Sequence, residues 1–518
     1  MHQRQTTLPL WAAVPVAALS GFVNAAAFPA TGWWPLIFLG TPLMMWSLAG
    51  RRVWPSLLVG FVGGFAFFGN HIYWLTVYLG PVPWLALAGL ESIFFALDAA
   101  LIALAWRFVP RVWPGLWGRL LGLPVVLAGL WVLREAITSV WPYGGFSWGR
   151  LAFSQSDSTF APLVAWLGVS GLSFVLAWLS AVLLQSILEV SVAWTVRGIV
   201  AAAAFLLAAA MPAWPVVTSG SVRVAAVQGD SNSGLFARYQ QGEILDDHLQ
   251  ASLPVFGKKV DVVVWPENAS DLDPLTNAYA AQTLDYVTKN TGAPLVTGTI
   301  TEDKKGRTFN SLLLWENGKG SVDQYDKIHP VPFAEYLPDR KFWYPLAPSL
   351  FDLVPRDYSF GQRNNVFTIN GAVAGLAICF DIVDDSLIQR MIDSGAQYIL
   401  APTNNADFGH TDESRQQVAI ARLRAIETGR SLVNTSTVGV SAMFGPDGRV
   451  IAQLPTFTAG HLIERIPLST TITPAMVDDR AVGWLTSGAG LAGLALGLLL
   501  RPQKTARRRG RRRPAVAA

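Results

Sequence analysis

Of the chain's 518 residues, 52% are hydrophobic and only 14% charged, a balance too apolar for an ordinary soluble protein. Residues 1–220 hold five acidic side chains (Glu91, Asp98, Glu135, Asp157, Glu189) and no lysine, whereas 30 of the 35 acids lie beyond them, so a lipid-soluble part and a water-soluble part share one chain. The net charge of +4 is concentrated in a tail (Arg507, Arg508, Arg509, Arg511, Arg512, Arg513) directly behind an apolar run, which argues for membrane headgroups and against nucleic acid as the partner.

A membrane span needs about 20 predominantly apolar residues. Candidate spans lie near 9–28, 33–49, 54–77, 83–108, 120–140, 160–185, 195–215 and 481–500, with Trp and Pro at their ends, as in Trp33-Trp34-Pro35 and Trp214-Pro215. The first stretch has a second reading, a cleaved signal peptide, because Ala25-Ala26-Ala27 resembles a cleavage site; an uncleaved span is preferred. Arg51 and Arg52 fall between spans two and three, and Arg111 and Arg119 between four and five, while the alternate loops near 29–32 and 78–82 carry no Lys or Arg. The positive-inside rule then places the N-terminus, those basic loops and the Arg-rich tail in the cytoplasm, and residues 216–480 outside. Glu91 and Asp98, seven residues apart in the fourth span, share a helix face and suit either a functional cavity or interhelical packing.

From residue 220 the pattern changes. Ser221–Gln228, Val260–Trp265, Pro294–Ile300, Ser311–Trp315, Val373–Cys379 and Tyr398–Pro402 are short β-branched or apolar runs that suit strands buried on both faces. Between them lie helix-like stretches, Leu235–Leu253, Asn277–Asn290, Asp384–Ser394 and Ser414–Thr428. The alternation predicts a layered α/β domain. The division expected is 1–219 membrane domain, 220–468 catalytic domain, 469–500 linker and last span, and 501–518 tail.

Cys379, the only cysteine, ends the apolar strand GAVAGLAIC. A lone cysteine is ordinarily a buried structural residue. A strand end leading into a helix, however, sets a thiol beside backbone N–H groups that lower its pKa. Glu267 closes another strand, VVVWPE, where the bland alternative is a helix-capping acid. Lys327 (in YDKIH) and Glu335 (in VPFAEY) are each unremarkable alone. Together they supply a base, a cation and a thiol at separate strand-to-loop junctions, the parts that acyl transfer through a thioester requires.

WPE, YDKxH and a strand-end cysteine, in that order, resemble the Glu-Lys-Cys nitrilase superfamily. Preceded by seven spans and followed by one, the whole chain is similar to bacterial apolipoprotein N-acyltransferases. Trp131–Ser156, Val331–Pro338 and Arg422–Thr437 resemble further family segments. The resemblance implies a polytopic α-helical membrane bundle of about eight spans plus an extramembrane αββα sandwich. It implies Glu267 as general base, Lys327 as oxyanion stabiliser, Cys379 as nucleophile, Glu335 orienting Lys327, and the Phe380 N–H completing the oxyanion hole. A phospholipid would be the acyl donor and a diacylated lipoprotein the acceptor. The enzyme would be a monomer in the bacterial inner membrane, its catalytic domain on the extracytoplasmic side, with no metal or cofactor. Asp381, Ala334, Asp407 and the pair Gln416-Gln417 depart from the family pattern and bear on donor and acceptor preference. Gly229–Tyr239 and Pro338–Gln362 are candidates for gating the lipid. Two rivals share these residues: a membrane-tethered nitrilase or amidase with water as acceptor, and a non-catalytic lipoprotein-binding membrane protein.

Overall fold

The computed structural model describes residues 8–500 apart from 232–233, 235–237, 355–356 and 478. The Arg-rich tail, the start of the expected helix Leu235–Leu253 and parts of both gate candidates lie outside the described residues.

The N-terminal half is helical throughout: α1 (Leu10–Ala27), α2 (Ile37–Leu48), α3 (Val53–His71), the short α4 (Leu75–Leu79), α5 (Pro81–Phe108), α6 (Leu123–Thr138), α7 (Leu163–Leu188) and α8 (Trp194–Ala209). The second half contributes α9 (Glu243–Ser252), α10 (Ala278–Thr291), the single turns α11 (Arg340–Trp343) and α12 (Pro348–Phe351), α13 (Asp385–Asp393) and α14 (Glu413–Thr428); a turn, α15 (Pro474–Val477), then leads into α16 (Asp479–Leu499). Six described helices are long and apolar enough to cross a membrane, and the apolar segments Trp34–Leu48 and Trp194–Ala209 are shorter, which together make a bundle of about eight. The chain returns for its last span because glycines let α16 lie against α6. A Cβ on Gly129 would meet Thr486 O at 2.4 Å, and one on Gly490 would meet the Gly129 carbonyl carbon at 2.6 Å.

Three spans differ from expectation, the seventh by ending at Ala209 rather than near 215. The third stops at His71 rather than near 77, because Trp74 turns away to donate its indole N–H to Gln416 Oε1 at 3.0 Å. The sixth is broken at Gly168, whose φ of 69° no helix accommodates. Glu91 and Asp98 are both buried and both face the charge of Arg134, whose guanidinium lies over the rings of Phe95 and Trp131.

The second half is a four-layer sandwich. One sheet runs β12 (Gly460–Ser469), β1 (Thr218–Gln228), β2 (Val262–Val264), β3 (Leu295–Glu302), β4 (Thr308–Glu316), β5 (Gly320–Asp326). The other runs β11 (Val450–Gln453), β10 (Ala442–Phe444), β9 (Ser431–Ser436), β8 (Tyr398–Thr403), β7 (Ala372–Leu376), β6 (Val366–Ile369). Strand alternation builds the layers. Val224 and Ala226 of β1 pack between the sheets against Leu376, Leu400 and Val433, while Ala225 and Val227 turn outward to α9 and α10. The outer face of the second sheet (Ile399, Ala401, Leu432) packs with Ile388, Ile420 and Leu423 of α13 and α14 in a core continuous with the membrane helices.

The joint between the halves is ionic. Arg150, from the loop after α6, donates to Asp385 Oδ2 and Ser170 Oγ, each at 2.7 Å. Arg424 of α14, fully buried, donates to the other oxygen of Asp385 and to Glu427 Oε2, both at 2.6 Å. The second oxygen of Glu427 accepts the Val169 N–H at 3.0 Å, one of the amides that the break at Gly168 frees. Burial alone would raise the Asp385 pKa, but Arg150 and Arg424 overcome it and hold the carboxyl at about 2. A carboxyl depressed in this way stabilises the fold above its unfolded pKa of about 4 and loses that contribution as pH falls through the folded value. In detergent, the thermal midpoint of the parent protein should therefore fall as pH drops from about 4 to about 2, and Asp385→Asn should flatten that profile and cost about 3 kcal/mol at neutral pH. Equal pH slopes in the two proteins would show that the joint does not depend on Asp385.

Candidate active site

The two sheets bring the ends of β2, β4, β5, β7 and β8 to one edge of the sandwich. Glu267 follows β2 by three residues and is only 4% exposed. Its Oε1 accepts from Asn310 Nδ2 at 2.7 Å and its Oε2 from the backbone N–H of Asn404 at 2.8 Å, so it is fixed and not a helix cap. Burial raises its pKa; Lys327 opposes this and Glu335 adds to it, with the net shift upward.

Lys327 directly follows β5 and is 1% exposed, the reverse of the solvated lysine that its local sequence suggests. Its Nζ lies 2.9 Å from Glu335 Oε2. Burial works against the ammonium, but Glu335 and Glu267 outweigh it and hold the pKa above the ordinary lysine value. Glu335 is itself anchored, accepting the Val331 N–H at 2.5 Å on Oε2 and Asn310 Nδ2 at 2.9 Å on Oε1. One amide, Asn310, thus ties both carboxylates, and its backbone oxygen accepts the Lys327 N–H at 2.8 Å.

β7 stops at Leu376, and Cys379 begins a five-residue 3-10 turn with φ of +50°. The turn is closed by Asp381, whose Oδ2 accepts from the Ile378 N–H at 3.1 Å and from Tyr325 OH at 3.0 Å. Burial, with Lys327 opposing, places the Asp381 pKa at about 7. Cys379 keeps part of its surface accessible. The expectation of a lowered thiol pKa is overturned: burial and the carboxylates Glu267 and Glu413 push it well up, and Lys327 and Thr403 recover only part of the shift. Five residues of 3-10 helix supply too weak a dipole to compensate. The resting sulfur is a thiol, with the buried carboxylates Glu267 and Glu413 near it.

The structure brings Glu267, Lys327, Glu335, Cys379 and Phe380 together and adds others, while Glu91 and Asp98 lie apart, facing Arg134. Phe380 stacks on Trp148 (centroids 6.0 Å apart, planes at 2°) and on Phe146, both from the loop that follows α6. Trp148 and Trp74 both donate to Gln416 Oε1, at 2.7 and 3.0 Å. Tyr78 of α4 is close enough to Lys327 and Glu335 to feel both charges. Gln417 Nε2 lies 3.6 Å from Cys379 Sγ. Asn310 gives no sequence cue, because its role arises from β4–β5 pairing. Trp148 and Gln416-Gln417 lie in segments whose resemblance to the family was visible, although their contacts were not.

Beyond the site, Pro338–Gln362 leans on the membrane half: Tyr143 OH donates to Asp339 Oδ2 at 2.7 Å and accepts from Trp343 Nε1 at 3.1 Å. Phe342, Leu346, Leu353 and Phe360 of this segment are exposed.

Two sequence profiles match the chain: "Apolipoprotein N-acyltransferase N-terminal domain" over residues 20–182 and "Carbon-nitrogen hydrolase" over residues 223–473. The apolipoprotein N-acyltransferase of Mycolicibacterium smegmatis is 31% identical over 91% of this chain and 83% of its own. Those of Pseudomonas aeruginosa (29%, covering 97% and 99%) and Haemophilus influenzae (26%, covering 89% and 90%) match to a similar extent. With both halves matched, and 31% identity sustained across most of both chains, this chain belongs to the apolipoprotein N-acyltransferase family.

Proposed function

We propose that the protein moves an acyl chain from a phospholipid, through a thioester on Cys379, to the α-amino group of the S-diacylglyceryl-cysteine that begins a lipoprotein. The observation that carries this is a thiol, a base and a buried cation meeting where the catalytic domain is bolted to a membrane bundle. Glu267 takes the thiol proton, and the thiolate attacks the ester carbonyl. Lys327 and the Phe380 N–H stabilise the oxyanion, and Glu267 returns the proton to the departing lysophospholipid alkoxide. In the second half the amine attacks the thioester and Glu267 accepts its surplus proton. Glu335 keeps Lys327 charged and in place.

The domain lies on the extracytoplasmic side of the bacterial inner membrane. The basic loops support this orientation: Arg51 donates to Leu8 O, Arg119 pairs with Glu189, and the far end of α16 packs at Phe108. All three belong to the end of the bundle away from the loops that touch the catalytic domain. The exposed apolar side chains of Pro338–Gln362 suit a gate dipping toward lipid. One chain carries every group used, so a monomer suffices.

Incubating the purified protein with a phospholipid of defined chains should add the mass of one acyl group, labile to neutral hydroxylamine and absent in Cys379→Ala. A diacylated lipopeptide should then discharge it. Hydrolysis of small amides without an adduct would instead favour an amidase. Glu335→Gln removes the closest counter-charge of Lys327 and the carboxylate that raises the Glu267 pKa, so adduct formation should slow about 100-fold, as for loss of general-base catalysis. An unchanged time course would exclude Glu335 from the mechanism.

A further inference from the structure

Gln417 is 2% exposed and projects from α14 toward the nucleophile. Its orientation is set by a hydrogen-bond network. Its Oε1 accepts from Thr403 Oγ1 at 2.9 Å and from Asn405 Nδ2 at 2.7 Å. Asn405 Nδ2 also donates to Glu413 Oε2 at 2.7 Å, and its Oδ1 accepts from Ser436 Oγ at 2.5 Å. Ser436 Oγ in turn accepts the Gly439 N–H at 2.8 Å. With Asn405 and Thr403 on Oε1, the amide nitrogen of Gln417 faces the nucleophile. Its NH2 points at Cys379 Sγ, 3.6 Å away.

We infer that Gln417 is a further catalytic residue, a fixed hydrogen-bond donor to the Cys379 sulfur that acts when this sulfur becomes the leaving group. The inference rests on the thioester reading above. In the discharge step the amine nitrogen forms a bond to the acyl carbon and the C–S bond breaks, its electron pair going to sulfur. The surplus ammonium proton passes to Glu267 and from there to the thiolate. The site is poorly disposed to a thiolate: burial, with Glu267 and Glu413 facing the sulfur, disfavours the anion, and Lys327 and Thr403 offset only part of this. A neutral donor that cannot titrate relieves this without placing a second cation beside Lys327. It also leaves the oxyanion groups free for the carbonyl oxygen.

The test uses the full chain in detergent. With a single cysteine, iodoacetamide alkylation as a function of pH reports Cys379 alone. Gln417→Met removes the donor at similar volume; Gln417→Glu keeps the acceptor toward Thr403 and Asn405 but turns an oxygen to the sulfur. Both should raise the alkylation midpoint by about one pH unit, the tenfold effect of one hydrogen bond to a charged group, and Gln417→Glu by more. Both should slow discharge of a preformed acyl-enzyme by a diacylated lipopeptide about tenfold, with the thermal midpoint as the check on folding. A merely structural glutamine would not move the alkylation midpoint of a folded variant. An unmoved midpoint in Gln417→Glu overturns the inference, and a moved midpoint with an unchanged discharge rate overturns the leaving-group role. If the parent protein forms no thioester, the acyltransferase reading falls, while the alkylation midpoint still decides whether Gln417 serves the sulfur.

Discussion

A charged ammonium with 1% of its surface exposed governs the site. Burying Lys327 carries a desolvation cost of several kcal/mol that only close counter-charges offset. Glu335 supplies one at 2.9 Å, and Glu267 adds a second electrostatically. Two carboxylates on one cation repel each other, and Asn310 moderates this by donating to both. Glu335 is committed to Lys327 and to the Val331 N–H, so in the proposed reaction the proton passes to Glu267. Burial raises its pKa, and with it the basicity that a protonated thiol requires. Base, cation and thiol therefore have linked protonation states: moving a proton from sulfur to Glu267 transfers negative charge from one neighbour of Lys327 to another and creates no new isolated charge.

The catalytic half does not hang from the membrane half on a flexible stem. Asp385 sits between Arg150 and Arg424, and Glu427 joins Arg424 to the broken end of α7. The break at Gly168 is intelligible only in this context, since an exposed Val169 N–H in an apolar environment would be costly. Breaking the helix creates a donor, and α14 supplies the acceptor. Each half thus completes a hydrogen-bonding requirement of the other.

Residues close in sequence to a strand end were legible, and residues defined by tertiary pairing were not. The six expected strands appear because their runs are apolar on both faces, as the fully buried Val262–Val264 and Tyr398–Thr403 illustrate. β5 was missed because GSVDQYD is an edge strand with exposed Val322 and Asp323, and its polar composition resembles a loop. The break in α7 was invisible because the apolar run continues through Gly168 without a charge. The thiol environment was misjudged for a related reason. Local sequence announces the turn after β7, but the carboxylates that raise the Cys379 pKa arrive from β2 and α14, more than 30 residues away in either direction.

The adjacent glutamines of α14 show why the bundle is more than an anchor. Gln416 is gripped by indoles from two membrane-side loops, Trp74 and Trp148, and Trp148 also stacks on Phe380, the residue after the nucleophile. Gln417, the next residue along, contacts the sulfur itself. Two routes therefore run from the membrane half to Cys379, one through the ring of Phe380 and one through the backbone of α14, and they share a single tryptophan. A soluble amide hydrolase can let its substrate diffuse to a free-standing site. A lipid ester arrives at a fixed depth, and a misplacement of about 1 Å can cost a hundredfold in rate. Stacking Phe380 on loops of the bundle, and hydrogen bonding Gln416 beside Gln417 to them, ties the height of the sulfur to the membrane helices.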